Sequence, residues 1–156
     1  MASNADAVSA TRPPASSSIV RARMQATRRR DTPIEIRLRK ALHRLGLRFR
    51  LQVKIRSLPR RTVDIAFPGA SIAVFVDSCF WHGCPIHGSL PNTNRDWWQV
   101  KIDQNRQRDE HTTVTLTREG WLVIRVWEHE EVVSASKRIA VAVKRSCRIK
   151  SGRRQG

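Results

Sequence analysis

The chain has 156 residues, room for one domain that buries about two thirds of its unfolded surface in a single core. Thirty Lys and Arg against thirteen Asp and Glu leave a net charge of +17, and self-repulsion of that size normally accompanies a polyanionic partner, with nucleic acid the first candidate. No apolar run approaches the ~20 residues of a membrane span and no basic amphipathic helix with a bulky apolar face stands out, so membranes are set aside.

Residues 1–22 are rich in Ala, Ser, Pro and Thr, with too little bulky apolar content to repay ordering, and are expected to be a disordered tail. The start lacks the apolar core of a secretory signal, which places the chain in a reducing cytosol. There, cysteines beside histidines point to metal or catalysis before disulfides. Cys147, alone in a basic stretch, reads as an incidental thiol. The run RARMQATRRR at 21–30 is either a solvated face or an arm that grips phosphates. One domain is expected over residues 23–146, with 147–156 as a basic tail.

Thr32 as N-cap, Pro33 at the first helical position and Glu35 at a capping-box position open a helix with Ile34, Leu38, Ala41, Leu42 and Leu45 on its buried face, ending at Gly46. Alternation at Leu47, Phe49, Leu51 and Val53 predicts a half-exposed strand, followed by a loop over 57–61. Runs 62–67 and 71–77, joined by Pro68-Gly69-Ala70, predict a hairpin. Asn94 is positioned to cap a long helix that stops at Gly120. WLVIRVWE, 121–128, is a core-like strand, parallel to 71–77 through a right-handed crossover, and 131–145 predicts a closing helix. The order predicts an α/β single domain, a sandwich on a mixed sheet, with its site where strand ends meet near Asp77 and Glu128.

The stretch VDSCFWHGCPIH, 76–87, carries the densest chemistry. Cys79, Cys84 and His87 have zinc-ligand spacing. A fourth donor must come from elsewhere, and His129 is delivered there if 121–128 runs beside 71–77. His82 competes for that position but has more use as a free imidazole next to a carboxylate. Asp64 and Asp77, on neighbouring strands, can hold a hard divalent cation such as Mg2+. An alternative for Asp64 is a salt bridge to an arginine. His82 suits proton transfer near neutrality. Glu35 can orient that ring, although a capping-box glutamate needs no other purpose. Phe80 and Trp81, in a loop with little core to enter, and Trp98 can insert between bases, with core packing as the alternative. Trp97, Trp121 and Trp127 are left to the core.

The segments RDTPIEIRL, TVDIAF, VDSCFWHGCPIH, NRDWWQVKIDQNRQRD and GWLVIRVWEHE, in that order over roughly residues 20–130, resemble the very-short-patch-repair (Vsr) mismatch endonucleases. The resemblance implies a restriction-endonuclease-like fold, a three-layer α/β/α sandwich with a zinc-stapled loop. It also implies structural Zn2+ and Mg2+-dependent nicking of one strand of double-stranded DNA at a T:G mismatch left by 5-methylcytosine deamination. Carried over by position, the metal-binding aspartate falls on Asp64, with the Val76 backbone carbonyl completing its site. The catalytic histidine falls on His82 and the helix glutamate on Glu35. The inserted aromatics fall on Phe80, Trp81 and Trp98, and the zinc ligands on Cys79, Cys84, His87 and His129. Asp77, counted with the catalytic residues, stands where the best-known member has a second histidine, so that either the acid-base chemistry rests more heavily on His82 or Asp77 adds a metal ligand. The resemblance further implies a monomer in the bacterial cytoplasm at the nucleoid, with a cytosine-5 methyltransferase system or mismatch-repair proteins as companions. Two alternatives remain open: a restriction or phage-defence nuclease without mismatch specificity, and a zinc-stapled DNA-binding module without catalysis.

Overall fold

The computed structural model describes residues 31–152. Helix α1 (Pro33–Arg44) begins as its residues dictate: the Thr32 hydroxyl accepts the Glu35 amide N–H, Pro33 fills the first turn, and Ile34, Leu38 and Leu42 form the buried stripe. The Glu35 carboxylate turns back to accept the Asp31 amide N–H, one residue earlier than the N-cap itself. Gly46, at φ +76°, releases the chain. Leu47 and Phe49 then enter the core as a connector, so β1 (Arg50–Ile55) starts later than the alternation predicts.

Strand β2 (Leu58–Phe67) takes in most of the expected loop over 57–61, because a tight turn pairs Ile55 with Leu58. It meets β3 (Ile72–Asp77) only along Ile65–Phe67. Its outer half is therefore an edge on that side, which accommodates Pro59, a residue with no N–H to donate. A single-turn 3-10 helix at Pro68–Ala70 closes the predicted hairpin.

Helix α2 (Arg95–Arg118) runs unbroken to Glu119, with Gly120 at φ +83° ending it. Asn94 precedes it in the left-handed region, φ 57°, and makes no side-chain cap; a capping side chain reaches the first amides from extended backbone, so the predicted Asn94 cap is not made. Strand β4 (Leu122–Trp127) is parallel to β3, as expected, from Ile72–Leu122 to Asp77–Trp127. Helix α3 (Val132–Gly152) continues past 146 into the segment read as a basic tail.

The sheet order is β1-β2-β3-β4. Leu38 and Leu42 of α1 with Ala135, Ile139 and Val143 of α3 cover one face over Ile65, Ile72, Val74 and Val126. Leu116 of α2 covers the other over Val63, Ala66, Ala73 and Phe75. This is the α/β/α sandwich with helices on both faces. Burial of each large aliphatic chain contributes roughly 1.5–3 kcal/mol. The predicted tail 1–22, the basic run 21–30 and the last residues, 153–156, lie outside the described residues. No helix among the described residues is long and apolar enough to cross a membrane.

Candidate metal and proton-transfer site

Past Asp77 the chain leaves the sheet as a loop held from two sides. From β4, the Glu128 carboxylate accepts the Cys79 amide N–H at 2.8 Å, and the Glu128 N–H donates to the Asp77 carbonyl at 2.9 Å. From α2, Asn105 Nδ2 donates to the Trp81 carbonyl at 2.9 Å and Arg106 Nη2 to the Gly83 carbonyl at 2.5 Å. These two bonds flank His82. The approach is close enough that a Cβ on Gly83 would lie 2.7 Å from Arg106 Nε and Ile102 Cγ2, and its φ of +59° also favours glycine.

Cys79, Cys84, His87 and His129 gather with their donor atoms all within 4.8 Å of one another. Cys79 Sγ lies 3.0 Å and Cys84 Sγ 3.7 Å from His129 Nδ1, and Cys84 Sγ lies 4.0 Å from His87 Nδ1. Donors on a zinc tetrahedron are ~3.3–3.8 Å apart given its bond lengths, so the set fits Zn2+. Burial and then the neighbouring Cys84 push the Cys79 thiol up to about 11. Two crowded thiols resist joint ionisation, and a divalent cation removes that resistance. His82 stays out of this group.

Asp64 stands where β2 parts from β3. Its Oδ2 accepts the Val76 amide N–H at 2.9 Å, and its Oδ1 accepts Gln52 Nε2 at 3.4 Å. Burial pushes this carboxyl up, against the two hydrogen bonds and His82, while the Asp77 charge adds to the rise. A carboxylate oxygen donor whose negative charge is opposed by burial suits a hard divalent cation. The salt bridge to an arginine considered for Asp64 is not found among the described residues.

The sequence reading gave Glu35 the orientation of His82. Glu35 instead accepts the Asp31 N–H and pairs with Arg39 at 2.9 Å, because its capping position turns it back on its own helix. Burial and then the Asp64 charge push it up. The carboxylate on His82 Nδ1 is Asp109 of α2, at 2.5 Å, with Asp77 at 3.7 Å. Burial pulls the imidazole down, but the Asp109 bond and the charges of Asp77 and Asp109 outweigh it, and the net shift is upward. With Nδ1 engaged, Nε2 is the nitrogen available for proton exchange with a substrate.

Asp77 differs from a second magnesium ligand facing phosphate: it is 3% exposed, and both its oxygens accept from Arg125 Nη1 at 2.8 Å. It groups with His82 and Asp109, not with Asp64. Asp109 and Arg125 escaped the sequence reading. Arg125 had a signal, a charge inside the apolar run WLVIRVWE that requires a carboxylate partner. Asp109 had none, being one charge among many on a long polar helix.

Phe80, Trp81 and Trp98 form one aromatic cluster with centroid separations of 5.1–5.6 Å. Trp98, read as a third inserting ring, is its buried floor at 6% exposure, held there by α2; Phe80 and Trp81 are half-buried above it. Trp97, Trp121 and Trp127 are half-buried, with Trp127 stacked on His129. At the outer end of the β1–β2 ribbon, a recess of about 460 Å3 is lined by Ser57, Leu58, Pro59, Arg60, Arg61 and Arg108.

A family model described as DNA mismatch endonuclease Vsr matches residues 16–87. The chain is 46% identical over 114 residues to type II nicking enzyme V.NaeI of Lentzea aerocolonigenes, covering 72% of this chain and 69% of that protein. It is 45% identical over 109 residues to type II nicking enzyme V.XorIIP of Xanthomonas oryzae pv. oryzae, covering 69% and 77%. It is 38% identical over 107 residues to DNA mismatch endonuclease Vsr of Escherichia coli (strain K12), covering 67% and 66%.

Proposed function

The chain belongs to the family of Vsr DNA mismatch endonucleases and is an endodeoxyribonuclease; on that premise we propose that it nicks one strand of duplex DNA at T:G mismatches left by 5-methylcytosine deamination, with Mg2+. The observation that carries the reading is Asp64, bonded to Val76 at the strand divergence and within electrostatic reach of the His82–Asp109 pair.

Asp64 and the Val76 carbonyl would hold Mg2+, and Cys79, Cys84, His87 and His129 would hold Zn2+. Bound Mg2+ would supply Lewis-acid polarisation of the scissile phosphodiester. His82 takes a proton from the attacking water through Nε2 as the new P–O bond forms. It returns the proton to the leaving oxygen as the old P–O bond breaks. Asp109 orients the ring and balances its charge while protonated. Glu35 keeps the start of α1 beside Asp64. Phe80 and Trp81, supported by Trp98, enter the base stack. The same proposal takes the chain as a monomer in the bacterial cytoplasm, acting after a cytosine-5 methyltransferase has supplied the modified base.

The test is nicking of labelled T:G, T:A and C:G duplexes with Mg2+. Wild type is expected to nick the T:G duplex alone, and Asp64→Ala none. Equal cleavage of all three would turn the assignment to a restriction or defence nuclease without mismatch specificity, the reading to which relatives named type II nicking enzymes lend weight. No cleavage by wild type, or undiminished cleavage by Asp64→Ala, refutes the metal assignment.

A further inference from the structure

We infer that Arg125 is a positioning residue for proton transfer, one guanidinium that clamps both carboxylates facing His82 and so fixes the ring for chemistry. This rests on His82 being the proton carrier. Arg125 sits on β4 opposite Phe75 of β3, in the layer between the sheet and α2. Its Nη1 donates to both oxygens of Asp77 at 2.8 Å. Its Nη2 donates to the Asp109 backbone carbonyl at 3.1 Å and lies 3.7 Å from Asp109 Oδ1. Nε reaches Thr113 Oγ1 at 3.5 Å, and the guanidinium lies over the Phe75 ring, 4.9 Å from its centroid.

Sheet and helix are thus tied together at the point where Asp77, from β3, and Asp109, from α2, converge on Nδ1 of His82. Neither carboxylate is on the loop that carries the histidine. Without a link between the two elements, a small shift of α2 would move Asp109 while Asp77 stayed with the sheet. A rigid planar fork spans both acids at once; a lysine ammonium, a single point of charge, does not. The guanidinium also places a positive charge inside a cluster whose donor types would otherwise suit a metal ion. Arg125 touches neither Asp64 nor a position assigned to the substrate, and it acts through the two carboxylates.

The experiment is single-turnover nicking, with the DNA dissociation constant measured separately, for wild type, Arg125→Met, Arg125→Lys, His82→Ala and the His82→Ala/Arg125→Met double variant. Arg125→Met is expected to slow nicking roughly 10- to 100-fold, as loss of alignment does, with the dissociation constant within about threefold. Arg125→Lys should recover only part of the rate. In the His82→Ala background, Arg125→Met should cost less than about threefold more, because no ring remains to align. A wild-type rate for Arg125→Met overturns the inference, as does an equal further loss in the His82→Ala background. A wild-type rate for His82→Ala instead overturns the reading on which it rests. Should Arg125→Met alone not fold, Asp77→Asn/Arg125→Met, which leaves no buried charge uncompensated, carries the same test: a comparable loss supports the inference and a wild-type rate overturns it.

Discussion

The two clusters at the carboxyl ends of β3 and β4 treat charge in opposite ways. Cys79, Cys84, His87 and His129 are four donors of a kind that takes its cation from outside the chain, and burial, then the neighbouring Cys84, raises the Cys79 thiol. Asp77, His82 and Asp109 already contain their cation, because Arg125 is bonded to Asp77 and reaches Asp109. On the proposed function, the first would become a structural unit when an ion joins it, whereas the second is held together by the chain's own charges. One loop would then combine a metal-dependent frame with a protein-made proton relay, and the two can be broken separately.

The largest effect is expected from breaking the frame. Structural zinc sites contribute on the order of 10 kcal/mol of apparent binding free energy. Cys84→Ser, or a chelator strong enough to strip the ion, should therefore release the loop and abolish nicking. Metal content by atomic absorption and the thermal melting point report it, and a zinc-free variant with a wild-type melting point and rate would remove the frame from the comparison. His82→Ala should leave zinc content and melting point unchanged while lowering nicking by roughly 10²- to 10⁴-fold, the usual worth of a general acid or base.

Gly83→Ala tests the connection between the clusters. A methyl there has no room against Arg106 and Ile102 and meets an unfavourable positive φ. The loop should lift from α2, carry His82 off Asp109, and lose up to about 10²-fold in rate with zinc retained. An unchanged rate would show that Asp109 follows the loop. The smallest effect is expected from Trp81→Ala: for a ring already half-buried against Trp98, loss of stacking falls at the low end of the usual ~1–3 kcal/mol, read as about tenfold weaker T:G duplex binding, with zinc content unaltered. Binding as tight as wild type would return Trp81 to a packing role.

The gathering of Cys79, Cys84, His87 and His129 was legible because three of the four lie within nine residues and the fourth follows from one topological step, the parallel pairing of β3 and β4. Asp64 was legible as a carboxylate interrupting an apolar strand. Glu35 was legible as a cap, but its assignment to His82 was not supported, because capping geometry directs the carboxylate to Asp31 and Arg39. Asp109 was not legible. A 24-residue helix with charges on most of its surface has no periodicity that marks the one carboxylate meeting a loop from another strand.

The sequence by itself determined the element order, the gathering of Cys79, Cys84, His87 and His129 and the electrostatic attraction to a polyanion, because these follow from local periodicity, strand pairing, short-range spacing and net charge. The tertiary structure decided which carboxylate holds His82, that Asp77 is neutralised by Arg125, and that Trp98 lies beneath Phe80 and Trp81. The first and third depend on how α2 packs over the loop that follows β3, and the second on the parallel pairing of β3 with β4, which brings together residues 48 positions apart. Hydrophobic burial sets that packing, and the polar side chains take whatever partners it brings within reach.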